Sequence, residues 1–198
     1  MGKVFTDMAV SVDGYTAGLN QRADAPFGDG VGDSLHAWMF QEPEENAAEI
    51  AEIVAAGAFI MGRNMFSPGR GDWDLDWTGW WGPEPPYHGP VFVLTHHERK
   101  PVVMEGGTTF HFVTGGIEEA LEQARAAAGG ADISIAGGAA TVNQFVAAGL
   151  LDEIRLHITP VLLGRGERLF EGVDHVDLTP VSVRGNDRVT HVRYVVKR

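Results

Sequence analysis

The sequence contains no cysteine, which excludes disulfides, thiolate metal sites and cysteine nucleophiles together. No apolar run approaches the roughly 18 residues that a membrane-spanning helix needs. The N-terminal stretch "MGKVFTDMAVSVDGY" has no apolar core of a signal peptide and carries Asp7 early. No membrane partner is therefore expected, and a cytoplasmic location is. Bases are scarce: 15 Lys and Arg stand against 27 Asp and Glu, a formal net charge of −12. That excludes a generic nucleic-acid surface, which must be basic. It also means that an anionic ligand needs a local positive site against an unfavourable overall field. No internal repeat is visible. A single domain spanning 1–198 is expected; a compact domain of this size buries roughly 70% of its unfolded-chain surface and needs no staples.

What is present alternates. Val4 to Val12 is apolar-rich and ends at "DGYTAG", a strand followed by a turn. Asp33 is placed to cap a short helix, "SLHAWMF". Pro43 suits the first position of a second helix running to about Ala56, with Glu44 and Glu45 in its first turn and Ile50, Ile53 and Val54 on its apolar face. "AFIMG" (58–62), "VFVLT" (91–95), "TFHFVT" (109–114), "DISIA" and "DEIRLHITPVLL" read as strands. Ile117 to Ala128 and residues 139–148 read as helices. The tail alternates apolar and polar residues on either side of Gly185-Asn186-Asp187, a hairpin signal. Short, wholly apolar strands alternating with helices predict an α/β fold with a mainly parallel sheet covered on both faces and an antiparallel hairpin at the C-terminal edge.

Residues 67–90, "SPGRGDWDLDWTGWWGPEPPYHGP", break the pattern with four of the five tryptophans. A long stretch without regular structure in a compact domain is usually functional or an interaction surface. Three roles are open: a surface loop using Trp as local core, a lid over a planar ligand, or a subunit contact.

Four stretches carry chemistry. "ISIAGGAATV" puts Gly137-Gly138 between a strand and a helix, where free helix N–H groups favour anions and glycines let a diphosphate reach the backbone; close packing alone also explains the pair. It is not the spaced dinucleotide fingerprint, because the third glycine is missing. In "FIMGRNMF" a strand ends at Gly62 and Arg63 follows, a fork matched to phosphate oxygens or to a salt bridge. "VFVLTHHER" delivers Thr95, His96, His97 and Arg99 to a strand end, either as an anion-facing cluster or as solvated loop residues. As a metal site it is weak, with no obvious third ligand, and no metal is expected. Asp13 in "SVDG" is a turn-capping acid or a catalytic one. Three strand ends with phosphate-compatible groups favour one elongated anionic ligand, such as a dinucleotide.

Together, "MAVSVDGYTAG", "FIMGRNMF", "VFVLTHHER" and "ISIAGGAATVNQFVAAGLLDEIRLHITPVLLGRGERLF" resemble the dihydrofolate reductase-like superfamily. The nearest likeness is to the reductase (C-terminal) domain of the bifunctional riboflavin-biosynthesis deaminase-reductase and its stand-alone bacterial relatives. It runs from about residue 3 to 197, with the Trp-rich segment least covered. The resemblance implies a three-layer α/β/α fold that binds NADPH, and a homodimer. It places Gly62, Arg63 and Asn64 at a Gly-Arg turn facing the adenosine 2′-phosphate, with Thr95 and His96 beside the same phosphate. It places Gly137 and Gly138 over the diphosphate, joined by N–H groups of Ala139, Ala140 and Thr141. Thr16 and Ala17 fall where backbone holds the nicotinamide carboxamide. Asp33 is the nearest candidate for the acid that dihydrofolate reductases carry on their first helix.

Two departures stand out. Met65 occupies the place of a frequent phosphate-binding Thr, so Asn64 or Ser67 would have to substitute. Asp7 stands where riboflavin-pathway reductases commonly carry Lys, which disfavours a dianionic sugar phosphate. Three functions are compatible with these residues. The first is an NADPH-dependent reductase acting on a small pterin-, pyrimidinedione- or carbonyl/imine-type substrate. The second is the 5-amino-6-(5-phosphoribosylamino)uracil reductase of riboflavin biosynthesis. The third is a non-catalytic NADPH-binding sensor or interaction module.

Overall fold

The structure is a computed structural model that describes residues 2–197. Its centre is a nine-stranded sheet. In chain order the elements are β1 (Val4–Ser11), β2 (Tyr15–Ala17), α1 (Ala37–Phe40), α2 (Ala47–Ile53), β3 (Ala58–Gly62), α3 (Arg63–Phe66), β4 (Pro90–Leu94), β5 (Val102–Val103) and β6 (Thr109–Val113). They continue with α4 (Gly116–Ala128), β7 (Ile133–Gly137), α5 (Ala139–Ala147), β8 (Glu153–Thr159), β9 (Glu167–Arg168), β10 (Leu178–Gly185) and β11 (Thr190–Val196). The order across the sheet is β10-β11-β8-β1-β7-β3-β4-β6-β5, with β2 and β9 forming a separate pair. Strands β8, β1, β7, β3, β4 and β6 run parallel. The C-terminal pair β10–β11 is antiparallel and joins through β11 to β8. The expected mainly parallel sheet with a terminal hairpin is what forms.

Alternation along the strands sorts the two faces. Val4, Met8 and Val10 of β1, Ile60 of β3 and Ile133 and Ile135 of β7 pack with Leu121 and Ala124 of α4 and Val142 and Phe145 of α5. Each fully buried aliphatic or Phe side chain here is worth about 1.5–3 kcal/mol. The other face carries Phe5, Ser134 and Phe59 in one row, by register. Its half over β3, β4 and β6 is covered by Phe66 and the Trp-rich segment: Trp73, Trp77 and Trp81 pack on Phe59, Tyr87 and Phe110. Of the three roles open to that segment, its tryptophans visibly serve as local core. Their indole N–H groups are used too, Trp73 donating to His97 O at 2.9 Å and Trp77 to Phe66 O at 2.8 Å.

The helices over the remaining half differ from expectation. Asp33 does not cap α1; that helix begins at Ala37 after His36. The second helix begins at Ala47, not at Pro43. The reason lies at Asn46, whose amide donates to Trp38 O and Glu42 O at 3.0 and 2.9 Å and pins residues 42–46 as a turn. Ile50, Ile53 and Val54 are only half-buried, and α2 has no fully buried residue. Its Glu49 and Glu52 instead pair with Arg184 and Arg193 on the terminal hairpin.

Candidate functional site

Because β1, β7, β3 and β4 are parallel, their carboxyl ends share one edge of the sheet. In spatial order that edge carries the loop after β1 with Thr16 and Ala17, the Gly137-Gly138 turn after β7, the Gly62-Arg63-Asn64 turn after β3, and Thr95-His96 after β4. Loops from distant parts of the sequence thus follow strands that end at the same edge.

Contacts tie the end of β3 to the turn after β7. A Cβ on Gly62 would lie 2.5 Å from Thr141 Oγ1, so only glycine lets the end of β3 close on the first turn of α5. Gly137 has φ +123, a conformation side chains disfavour, and packs beside Met65 and Met8. Above Gly138 there is open space: no atom lies within 4 Å of an added Cβ. Of the two glycines, one fits the backbone and the other leaves a surface bare. Gly138 caps α5, and its carbonyl accepts from Thr141 N at 3.0 Å. Of the three expected donors, Ala139 and Ala140 therefore present the N–H groups, which have no intrahelical partner in a first turn. Thr141 contributes its buried side chain next to Gly62.

Arg63 lies with its Cζ 3.9 Å from the centre of the Trp73 ring, and donates to Asp72 O at 3.3 Å. Its Nε is buried without a partner, as is one terminal nitrogen of Arg99. Arg99 reaches the same ring at 5.2 Å. Burial first, and neighbouring Arg70 second, push the Arg63 guanidinium below its ordinary value; burial and then Asp74 and Arg63 act on Arg99, for a net fall. Both stay cationic at neutral pH. In a chain of net charge −12, Arg63 lies near both Arg70 and Arg99, with Asp72 and Asp74 offsetting part of their charge, and a phosphate would give the unpartnered nitrogens an acceptor.

Thr95 is buried, and its hydroxyl both accepts from His97 N at 3.1 Å and donates to His97 O at 3.3 Å. Through Trp73 this turn is tied to Arg63. His96 and Asn64 are exposed at the same edge. Ser67 is buried and accepts from Gly69 N at 3.2 Å, so Asn64 is the freer of the two suggested substitutes for the missing Thr. Thr16 and Ala17 are buried on β2, held against β9, with Thr16 donating to Glu167 O at 3.3 Å.

Asp13 is a structural acid. It accepts from Ser11 Oγ at 2.6 Å, Leu163 N at 3.1 Å and Gly164 N at 2.6 Å, and the hydroxyl of Ser11 first, with these amides, draws its carboxyl down to about 2. It thereby staples the turn after β1 to the loop after β8. Asp33 is exposed. Its visible link to the site is its charge, which favours protonation of the nearby His36.

A second cluster was not read from the sequence. On the face opposite α4 and α5, Asp7 of β1 meets His157 of β8: Oδ1 and Nε2 stand 3.3 Å apart, with side chains 2% and 5% exposed. Arg155 Nη1 lies 3.4 Å from Asp7 Oδ2. His157 Nδ1 meets His191 Nδ1 at 2.7 Å, and His191 Nε2 meets Asn46 Oδ1 at 3.0 Å. Trp38, fully buried, lies against both rings. The signal was an acid in the otherwise apolar run "VFTDMAVS", together with single histidines in "EIRLHIT" and "THVRYVV". Only the fold shows that they meet.

Two cavities, of about 390 and 280 Å³, lie elsewhere. The larger is bounded by Val146, Leu151, Val176 and Val196 at the opposite edge of the sheet. Among the described residues, no group of three His, Asp or Glu could hold a metal ion, and no helix is long and apolar enough to cross a membrane.

The model of the RibD C-terminal domain family matches residues 2–192. The chain is 26% identical over 190 residues to YyaP, an uncharacterised protein of Bacillus subtilis strain 168, covering 92% of this chain and 88% of that one. Among solved structures, a Shewanella sp. PV-4 protein provisionally assigned to riboflavin biosynthesis superposes with a TM-score of 0.69 at 24% identity, over 99% of both chains. Dihydrofolate reductase from Enterococcus faecalis, complexed with NADP(H), superposes with a TM-score of 0.57 at 16% identity, over 100% of this chain and 98% of that one. The fold is that of the dihydrofolate reductase-like superfamily.

Proposed function

The chain belongs to the RibD C-terminal domain family, and on that premise we propose that it is an NADPH-dependent reductase of a small pterin-, pyrimidinedione- or carbonyl/imine-type substrate. The observation that carries this reading is the shared edge: four strand-end loops meet there, with a bare glycine turn and an unpartnered arginine nitrogen among them. Arg63 would take the 2′-phosphate, with Asn64, Thr95 and His96 at the same end. Gly137, Gly138, Ala139 and Ala140 would lie under the diphosphate, and the Thr16–Ala17 backbone beside the carboxamide. When bound, NADPH supplies the hydride; the protein supplies orientation and the proton.

The reading as 5-amino-6-(5-phosphoribosylamino)uracil reductase keeps the support of the family. The objection raised by Asp7 weakens, because Arg155 and His157 face its carboxylate. Complementation of a strain lacking that step separates this substrate from the others. A homodimer is part of the proposal. Among the described residues β10 ends the sheet, and Val181 and Val183 are 56% and 67% exposed on it, two apolar side chains that a second copy of the chain would cover. The expected cytoplasmic setting belongs to the same reading.

Isothermal titration tests the cofactor: NADPH should bind more tightly than NADH, and equal affinities would contradict the 2′-phosphate assignment. Turnover is tested by incubating the protein and NADPH with pterins, folates and pyrimidinediones. Loss of absorbance at the reduced-nicotinamide band supports the reductase; no loss across the panel supports a sensor.

A further inference from the structure

Hydride reduction of a C=N or C=O bond consumes one proton per hydride, and Asp33, the acid suggested by the resemblance, is exposed. The buried cluster over β1 and β8 offers another. Its protons follow from the hydrogen-bond geometry together with burial, which keeps His191 neutral. Asn46 donates its amide to Trp38 O and Glu42 O, so its Oδ1 is an acceptor. His191 Nε2 faces that oxygen at 3.0 Å and must carry a proton. A neutral His191 then accepts at Nδ1, so His157 must donate from its own Nδ1 across 2.7 Å. That leaves His157 Nε2 facing Asp7 Oδ1 at 3.3 Å, neither atom having any other hydrogen-bond partner. Two lone pairs confronted in a buried site repel. One proton must lie between them. Arg155 at Asp7 Oδ2 favours the carboxylate, so that proton belongs to His157 as an imidazolium.

We infer that the Asp7–His157 pair holds the proton that the reduction consumes, with His191 and Asn46 as positioning residues that fix which ring nitrogen carries it. The inference rests on the reductase reading. The location supports it. β8, which bears His157, and β7, which ends in the twin glycines, flank β1 on either side. Two strand spacings, about 10 Å, therefore separate them, room for one planar ring. Ala9, opposite His157 in the register, and Ala136 on β7 are small and only half-buried. The face beside the pair is thus left low where a substrate ring would lie.

The transfer balances. The acceptor carbon takes hydride, and its nitrogen or oxygen takes the His157 Nε2 proton. Imidazolium and carboxylate become imidazole and carboxylate, and solvent restores the proton. The groups facing the pair are Arg155 and Glu153 on β8, His191 and Arg193 on β11, Glu49 and Glu52 on α2, Arg184 on β10 and His36 before α1.

The test is imidazole ¹H–¹⁵N spectroscopy of the labelled protein. At pH 7 without ligand, His157 should show two ring protons and His191 one, on Nε2; Asp7→Asn should remove the second His157 proton. On saturation with NADPH, the His157 signals should shift. A wild-type His157 with a single ring proton at pH 7 overturns the inference, as does a His157 indifferent to saturating NADPH, which would mark the pair as structural. Failure of NADPH to bind at all, seen by titration calorimetry, sinks the cofactor reading and this inference with it.

Discussion

Arg63→Ala should weaken NADPH binding roughly 10- to 150-fold and leave NADH binding unchanged. The magnitude follows from what the guanidinium faces. Nε has no partner, and one terminal nitrogen makes a long 3.3 Å bond to Asp72 O, so a phosphate would gain donors that are now idle. A hydrogen bond to a charged group contributes about 1.5–3 kcal/mol, and each 1.4 kcal/mol is tenfold in affinity. The stack on Trp73 adds about 0.5–1 kcal/mol at an exposed site, but it is present with either cofactor and cancels in the ratio. Arg63→Lys keeps the charge and loses the fork, so it should fall between wild type and Arg63→Ala. Titration calorimetry of both cofactors against all three proteins reads the effect. A parallel loss for NADPH and NADH in Arg63→Ala would mean that the arginine holds the loop and not the 2′-phosphate, and the reasoning would fail.

Other outcomes follow from the same structure. His157→Gln should lower the rate of hydride transfer roughly 10²- to 10⁴-fold in single-turnover measurements with NADPH bound; a variant that transfers hydride at the wild-type rate contradicts the role. Acid should destabilise the protein between about pH 6.5 and 4. His36 and His191 are both pushed down to about 4, by burial first and by His157 second, so the unfolded chain binds more protons in that window and stability is lost as pH falls through it. In His36→Phe, which preserves a ring against Phe27, the slope of melting temperature against pH should flatten; an unchanged slope refutes that assignment. Val183→Asp should convert a dimer to a monomer in sedimentation experiments without changing NADPH affinity, and an unaltered mass would place the interface elsewhere.

Strand order along the chain, the glycine turns and the terminal hairpin were legible because period-2 alternation and Gly punctuation are local signals. Arg63, Thr95 and Gly138 were legible as candidates for the same reason: each follows a strand directly, and parallel strands align their carboxyl ends. The helices before β3 were not. Pro43-Glu44-Glu45 has the composition of a helix start, yet Asn46 spends its amide on Trp38 and Glu42 carbonyls and holds the chain as a turn. The Asp7–His157–His191 array was invisible for a related reason. Its members lie up to 184 positions apart on three strands, and only the adjacency of β1, β8 and β11 brings them together. Asp7 looked like an uncompensated anion because Arg155 beside it is 148 residues away in sequence.

If the loops after β1, β7, β3 and β4 cradle one long cofactor, a crystal structure with NADPH bound will show it. The diphosphate should lie against Gly138 and the N–H groups of Ala139 and Ala140, the 2′-phosphate on Arg63, and the nicotinamide beside Thr16 and Ala17. Cofactor density in the cavity beside Val146 and Val196, or a 2′-phosphate away from Arg63, would contradict it.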